Sequence, residues 1–232
     1  MRLLIEPFLQ KHPEFVLKQR ILFRVPIAHF TIGMAFERTG HKDQVCLRWY
    51  VQFLFAPPPF FRGGLGTRMD RSWGIIGATD LQQKMIGEME SVIADVIPID
   101  TLLEDIFEVN KRADRNFGVM QENSRGLLLA SLGNFSAASA ELQSYVDRKR
   151  RVIENWHSNP GYPKGSKRWE ADRELFSGVQ AEVEHIAKLI ISLDRDDANG
   201  VASILHSWEA MAVEAKKLER YWMPSPFPFE IA

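Results

Sequence analysis

The chain has 232 residues, 45% hydrophobic and 25% charged, with 29 basic against 30 acidic side chains; this composition excludes disordered and fibrous classes and lets one large domain or two small ones bury a real core. A lone Cys46 excludes an internal disulfide and fits a reducing compartment. Glu6 and Pro7 interrupt the amino-terminal apolar run too early for a secretory signal, and the most apolar window, 51–61, holds consecutive prolines, so the chain reads as cytoplasmic with no membrane span.

The expected fold class is α+β: a small antiparallel sheet with a leading helix, then a mostly antiparallel array of long amphipathic helices. RILFRV reads as a first short strand, with Ile21, Phe23 and Val25 on the apolar face and Arg20, Leu22 and Arg24 on the polar one. Ala28, Phe30, Ile32, Met34 and Phe36 alternate with polar neighbours, and Val45, Leu47, Trp49, Val51, Phe53 and Phe55 repeat the pattern. That two-residue period, broken only by TGHKD, predicts a hairpin with Phe36 near Val45 or Leu47. PPPFFRGGLGTRMDRSWG then reads as a long Pro- and Gly-rich loop.

Beyond it the period is helical. Thr79 with Gln82, and Thr101 with Glu104, match the capping box that satisfies free amides at a helix start, and Leu81, Met85, Met89, Val92 and Val96 follow at helical spacing. Three longer stripes succeed them: Ala138, Leu142, Tyr145, Val152 and Trp156; Trp169, Phe176, Val179, Val183, Ile186, Ile190 and Leu193; Val201, Leu205, Trp208, Met211, Ala215, Leu218 and Trp222. SNPGYPKG and DRDDANG are the turns between them. The Pro-rich end, MPSPFPFEIA, is expected to be extended and laid along the body by Phe227 and Phe229.

Charge is uneven along the chain. Residues 1–76 carry 11 basic and 5 acidic side chains, a net +6, which leaves −7 for the remainder. The expected organisation is therefore a basic part with the sheet, 1–76, and an acidic all-helical part, 77–232, whose opposite signs favour docking.

RGLLLASLGNFSAASAELQSYVD resembles a tetratricopeptide-type helical hairpin over residues 121–147: Gly126 and Ala130 fall where the first helix needs small residues, Gly133-Asn134-Phe135 at the turn, and Ala138 at the small position of the second helix. Leu127 to Leu129 replace the usual aromatic pattern, and no second copy follows. The whole chain also resembles bacterial proteins in which a small amino-terminal sheet precedes a helical tail.

Several chemistries can be tested on spacing. Glu154-x-x-His157 and Glu182-x-x-His185 have the spacing of di-iron bundle ligands, but an antiparallel pair turning near Tyr162 would hold the histidines ~27 Å apart along the axis at ~1.5 Å per residue. DRDDANG lacks the later ligands of a calcium loop and reads as a helix-capping turn. GGLGTR lacks the Gly-Lys-Ser/Thr of a phosphate loop. Cys46 lies near Glu37, whose charge raises a thiol pKa, and away from His29, so no nucleophile is activated. The run from Arg148 to Arg151 reads as a solvated helix face. No catalytic set, cofactor or metal is expected.

What remains is a surface. Arg24, His29, Arg48 and Tyr50 on the polar sheet face, with Arg62, Arg68 and Arg71 on the adjacent loop 57–73, are the candidate ligand- or partner-binding residues. Such a face suits an acidic or phosphorylated ligand; nucleic acid is disfavoured, because Tyr50 would stand nearly alone as a stacking ring. Acidic helices covering the face explain the charges equally well. The leading expectation is a protein-interaction or regulatory module, joined to a protein partner or to its own copies through helical faces; the alternatives are a ligand-binding protein or enzyme with a pocket beside loop 57–73, and nucleic-acid binding.

Overall fold

Alternating apolar residues build most of the first 75 residues into a sheet, and helical periodicity builds most of the rest into helices, an α+β fold. The computed structural model describes residues 2–38, 44–75, 80–114 and 119–231. Strands β1 (Phe15–Lys18), β2 (Ile21–Arg24), β3 (Phe30–Arg38), β4 (Gln44–Phe53), β5 (Gly64–Ile75) and β6 (Val119–Met120) form one antiparallel sheet in chain order. The expected hairpin is β3–β4, with Phe36 opposite Leu47, Met34 opposite Trp49 and Ile32 opposite Val51. None of these six side chains is more than 3% exposed. The TGHKD turn lies outside the described residues.

Two readings of the sheet are corrected. Residues 64–75, expected within a loop, are β5. Gly64 lies opposite Gln52 at φ +133°, and a Cβ there would stand 2.1 Å from the Val51 carbonyl oxygen, so the glycine that suggests a loop is what permits the pairing. Leu65 between the glycines is buried against Val51 and Met120 of the flanking strands. The parity of β2 is also the reverse of that expected. Leu22 pairs with Met34 and shares the face of Trp49, whereas Phe23 pairs with Gly33 on the opposite face, since directly opposed residues of antiparallel strands share a face.

That second face is covered. The Tyr221 ring meets Phe23 edge-on at 5.2 Å, and Ile27 is stitched to the returning chain by its N–H to the Tyr221 carbonyl (2.8 Å) and its carbonyl from the Met223 N–H (2.7 Å). On the side of Phe15, α1 (Arg2–Lys11) buries Ile5 and Phe8, the latter 5.6 Å from the Phe15 ring. Helix α2 (Leu81–Asp95) buries Leu81, Met85, Met89 and Val92 and packs on α1. Helix α3 (Ile106–Asp114) follows. Thr101 does not cap it: its hydroxyl donates to the Pro98 carbonyl at 2.6 Å, and Asp105 accepts the Leu102 N–H instead. Thr79, the other expected cap, lies outside the described residues.

The chain forms two compact units: 1–53 with 64–120 and 218–225, and 54–63 with 121–217 and 226–232. The boundary differs from the charge boundary at residue 76, because α2 and α3 fold with the sheet. Counted by unit, the first carries 15 basic and 15 acidic residues and the second 14 and 15, so the charge asymmetry along the sequence is neutralised inside each unit. Glu90 on α2 shows how: it accepts from Lys11 at 2.9 Å and lies 3.1 Å from His12.

In the second unit α4 (Ser124–Ser131), α5 (Phe135–Ser158), α6 (Lys167–Asp194) and α7 (Ala198–Lys216) pack in succession. Gly133 turns the chain between α4 and α5 at φ +79°, and Gly126 leaves room for Leu142, whose Cγ would be 2.6 Å from a Cβ at 126. Ser166 caps α6 through the Trp169 N–H, and Asp197 caps α7 through the Gly200 N–H, as the turn composition predicts. Trp156 stacks on Trp169 and Phe176 across α5 and α6. Val152, expected in the α5 stripe, is 48% exposed, and its neighbour Ile153 is buried instead. The loop 54–63 belongs to this unit: Phe60 packs where a Gly178 Cβ would otherwise be, and Phe55 meets Phe227 at 5.6 Å. Phe227 is fully buried and Phe229 lies on Phe135, so the tail is pinned as its aromatic residues suggest. Among the described residues no helix is long and apolar enough to cross a membrane.

Candidate functional site

The basic face expected from the sequence is not an open platform. Arg24 shares the Leu22 face and donates to the carbonyls of Ile99 and Thr101; burial pulls its pKa down, while Asp100 and Glu14 oppose that. His29 is 6% exposed, with Nε2 3.1 Å from the Ser225 hydroxyl. Tyr50 lies between Gly33 on β3 and Gly66 on β5, where a Cβ at 33 would stand 2.0 Å from the Leu22 carbonyl oxygen and one at 66 would stand 2.6 Å from the Trp49 carbonyl oxygen. The Tyr50 hydroxyl points to the Leu22 carbonyl at 3.5 Å, and burial pushes its pKa up. Arg48 is the exposed member and pairs with Glu37 at 3.4 Å. Arg62 belongs to the helical unit, where its guanidinium lies over Phe60. The Arg68 and Arg71 side chains lie outside the described residues; their backbones are part of β5 rather than of a loop.

The chemically distinctive residue is Glu182 on α6. It is 3% exposed and accepts from the Tyr145 hydroxyl at 2.8 Å and from Asn123 Nδ2 at 3.0 Å. Asn123 also donates to the Arg62 carbonyl at 3.0 Å, tying the loop to the cluster. Burial raises the Glu182 pKa above the usual carboxylate range, against the hydrogen bonds and the charges of Arg62 and Lys149. Tyr145 is pushed up as well, by burial and then by Glu182. With every partner inside the packed helices, this acid orients α4, α5 and α6 rather than meeting solvent.

The carboxylate-histidine pairs do not meet. Glu182 is engaged as above, His185 abuts the Trp208 ring, and His157 abuts Trp156. Among the described residues no three His, Cys, Asp or Glu side chains gather as they would around a metal ion. Cys46 is buried beside Glu37 in the β3–β4 register.

The helical unit does present an open groove of about 450 Å³ between α4 and α5, lined by Arg125, Leu129, Asn134, Ala137, Ala140, Glu141 and Ser144. Arg125 and Glu141 close one rim with a 2.9 Å ion pair. Sequence reasoning followed the buried stripe of α5 and passed over its opposite face. Ala137, Ala140 and Ser144, at i, i+3 and i+7, are the signal that could have found it. No family model, curated protein or solved structure matches this chain.

Proposed function

We propose that the chain is a cytoplasmic protein-interaction module whose helical unit receives an apolar segment of a partner protein in the groove between α4 and α5. The observation that carries this reading is the groove itself: a partly exposed apolar floor of Leu129, Ala137 and Ala140, with little side-chain bulk at the two alanines to hold a partner's backbone away, and the Arg125–Glu141 pair beside it. The resemblance of residues 121–147 to a tetratricopeptide-type hairpin, a unit that recurs in peptide-binding scaffolds, supports it. A buried Cys46 suits a reducing compartment.

The test is Ala137→Arg, which fills the groove from a half-buried position on the face of α5 away from Ala138 and Leu142. Affinity purification of the wild-type chain from its own cells should recover a partner that the variant loses, at unchanged melting temperature. The same partner recovered equally by both chains would end the proposal.

A further inference from the structure

The first unit carries a second groove, of about 380 Å³, lined by Arg2, Glu6, Leu9, Pro13 and Arg220 together with the three consecutive residues Phe15, Val16 and Leu17 of β1. Side chains of consecutive strand residues point to opposite faces, so these three share one groove only along their backbone edge. β1 is the outermost strand of the sheet. The Val25 N–H donates to the Glu14 carbonyl at 2.8 Å, and the register pairs Val16 with Phe23 and Lys18 with Ile21. Bonded and unbonded pairs alternate along an antiparallel ladder, so Val16 and Lys18 turn toward β2 while the N–H and C=O of Leu17 turn away from it. The Phe15 N–H is taken by the His12 carbonyl, which leaves the Phe15 carbonyl on the same outer edge.

We propose that this groove binds an extended acidic peptide segment, which adds to β1 as an outer strand. Main-chain hydrogen bonds to Leu17 supply the affinity of strand addition, and Leu9 and Pro13 offer apolar contact. The charge preference comes from Arg220. Its guanidinium lies 4.3 Å from the centre of the Tyr221 ring, and among the described residues no carboxylate pairs with it. Arg2 lines the same groove, and among the described residues its ion pair is with the half-exposed Glu6 at 3.7 Å. A carboxylate on the incoming strand satisfies Arg220 with a charge-assisted hydrogen bond. The four residues of β1 span ~13 Å at ~3.3 Å per residue, so the docked stretch is short. This site lies in a different unit from the α4–α5 groove and stands whether or not that groove binds.

The test uses the full chain and a fluorescein-labelled pentapeptide alternating valine with glutamate, read by anisotropy. Two controls accompany it: the same peptide N-methylated on alternate amides in either register, and the peptide with lysine in place of glutamate. The acidic peptide should bind, and N-methylation on the edge-facing amides should weaken it about tenfold or more, as loss of strand-pairing hydrogen bonds requires. Leu17→Pro removes the outward donor at an edge position where proline is tolerated and should have the same effect. Arg220→Ala should weaken the acidic peptide several-fold and leave the lysine peptide unchanged. If Leu17→Pro does not fold, the N-methylated peptides on the wild-type chain decide the matter alone. The proposal is overturned if the acidic peptide does not bind at millimolar concentration, or if both N-methylated forms bind as well as the parent. A native-mass dimer that Leu17→Pro converts to monomer would also overturn it, assigning the edge to a second copy of the chain.

Discussion

Phe227→Ala should destabilise the helical unit by about 4 kcal/mol, the middle of the range for deleting a fully buried aromatic ring. The ring has no solvent exposure and is packed by Phe55 at 5.6 Å, His206 at 4.8 Å and Phe229 at 5.9 Å, so its removal loses both the transfer energy and the contacts around the cavity left behind. The backbone on either side is fixed: Glu230 accepts the Phe227 N–H at 2.7 Å and contacts His206 Nε2 at 2.8 Å, which limits collapse into the void. In urea, followed by far-ultraviolet circular dichroism, a slope of about 2 kcal/mol/M converts the loss to a fall of about 2 M in the midpoint of the helical transition. A fall of less than about 0.5 M, or about 1 kcal/mol, would refute the reasoning, since it would mean that the tail is dispensable to the core.

His206 should make the same transition pH-dependent. Its contacts with Glu230 and Glu209 raise its pKa above the ordinary 6.5 against the opposing effect of burial. A histidine made more basic by folding stabilises the fold fully below its unfolded pKa and loses that contribution as pH rises through the folded one. His206→Gln should therefore flatten the urea midpoint between about pH 6 and pH 9, and an unchanged slope there would count against the bridge. Glu182→Gln should raise the midpoint at neutral and higher pH, because a buried carboxyl with a raised pKa loses stability on ionising, and the advantage should vanish in acid below the unfolded carboxylate range; a loss at pH 8 would show that the ionised form is the stable one. Gly64→Ala should cost about 3 kcal/mol or more, since the new Cβ meets the Val51 carbonyl in a backbone conformation that only glycine adopts readily. A calorimetric melting temperature unchanged by that substitution would contradict the β4–β5 pairing.

The β3–β4 hairpin was legible because each face there is chemically pure: Met34 and Trp49 alternate with Gly33 and Tyr50, and one register satisfies both. β2 was misread because Ile21, Leu22 and Phe23 are all apolar, so alternation cannot say which face Leu22 takes; the pairing with β3 decides, and Tyr221 from far along the chain covers the exception. β5 was hidden by glycines whose reason for being there, the close approach of the Trp49 and Val51 carbonyls, lies on the neighbouring strand. The charge asymmetry misled for a similar reason: acids such as Glu90 lie beyond residue 76 in sequence but fold beside Lys11 and His12. The aromatic tail was legible because prolines at 224, 226 and 228 bar an α-helix or a paired strand there, so Phe227 and Phe229 can be buried only against the body of the protein. Neither groove could be read directly, since each depends on which atoms of two elements fail to fill the space between them.

The proposed role of the α4–α5 groove is tested most directly by site-specific photo-cross-linking in the cells that make the protein, with a photoreactive phenylalanine analogue at Ala140 on the groove and at Leu175 on the exposed surface of α6. A discrete cross-linked species from position 140, absent from position 175 and abolished by Ala137→Arg, is the predicted result. Cross-links of equal yield at both positions, or none at position 140 in a chain that is folded and expressed, would contradict a binding role for the groove.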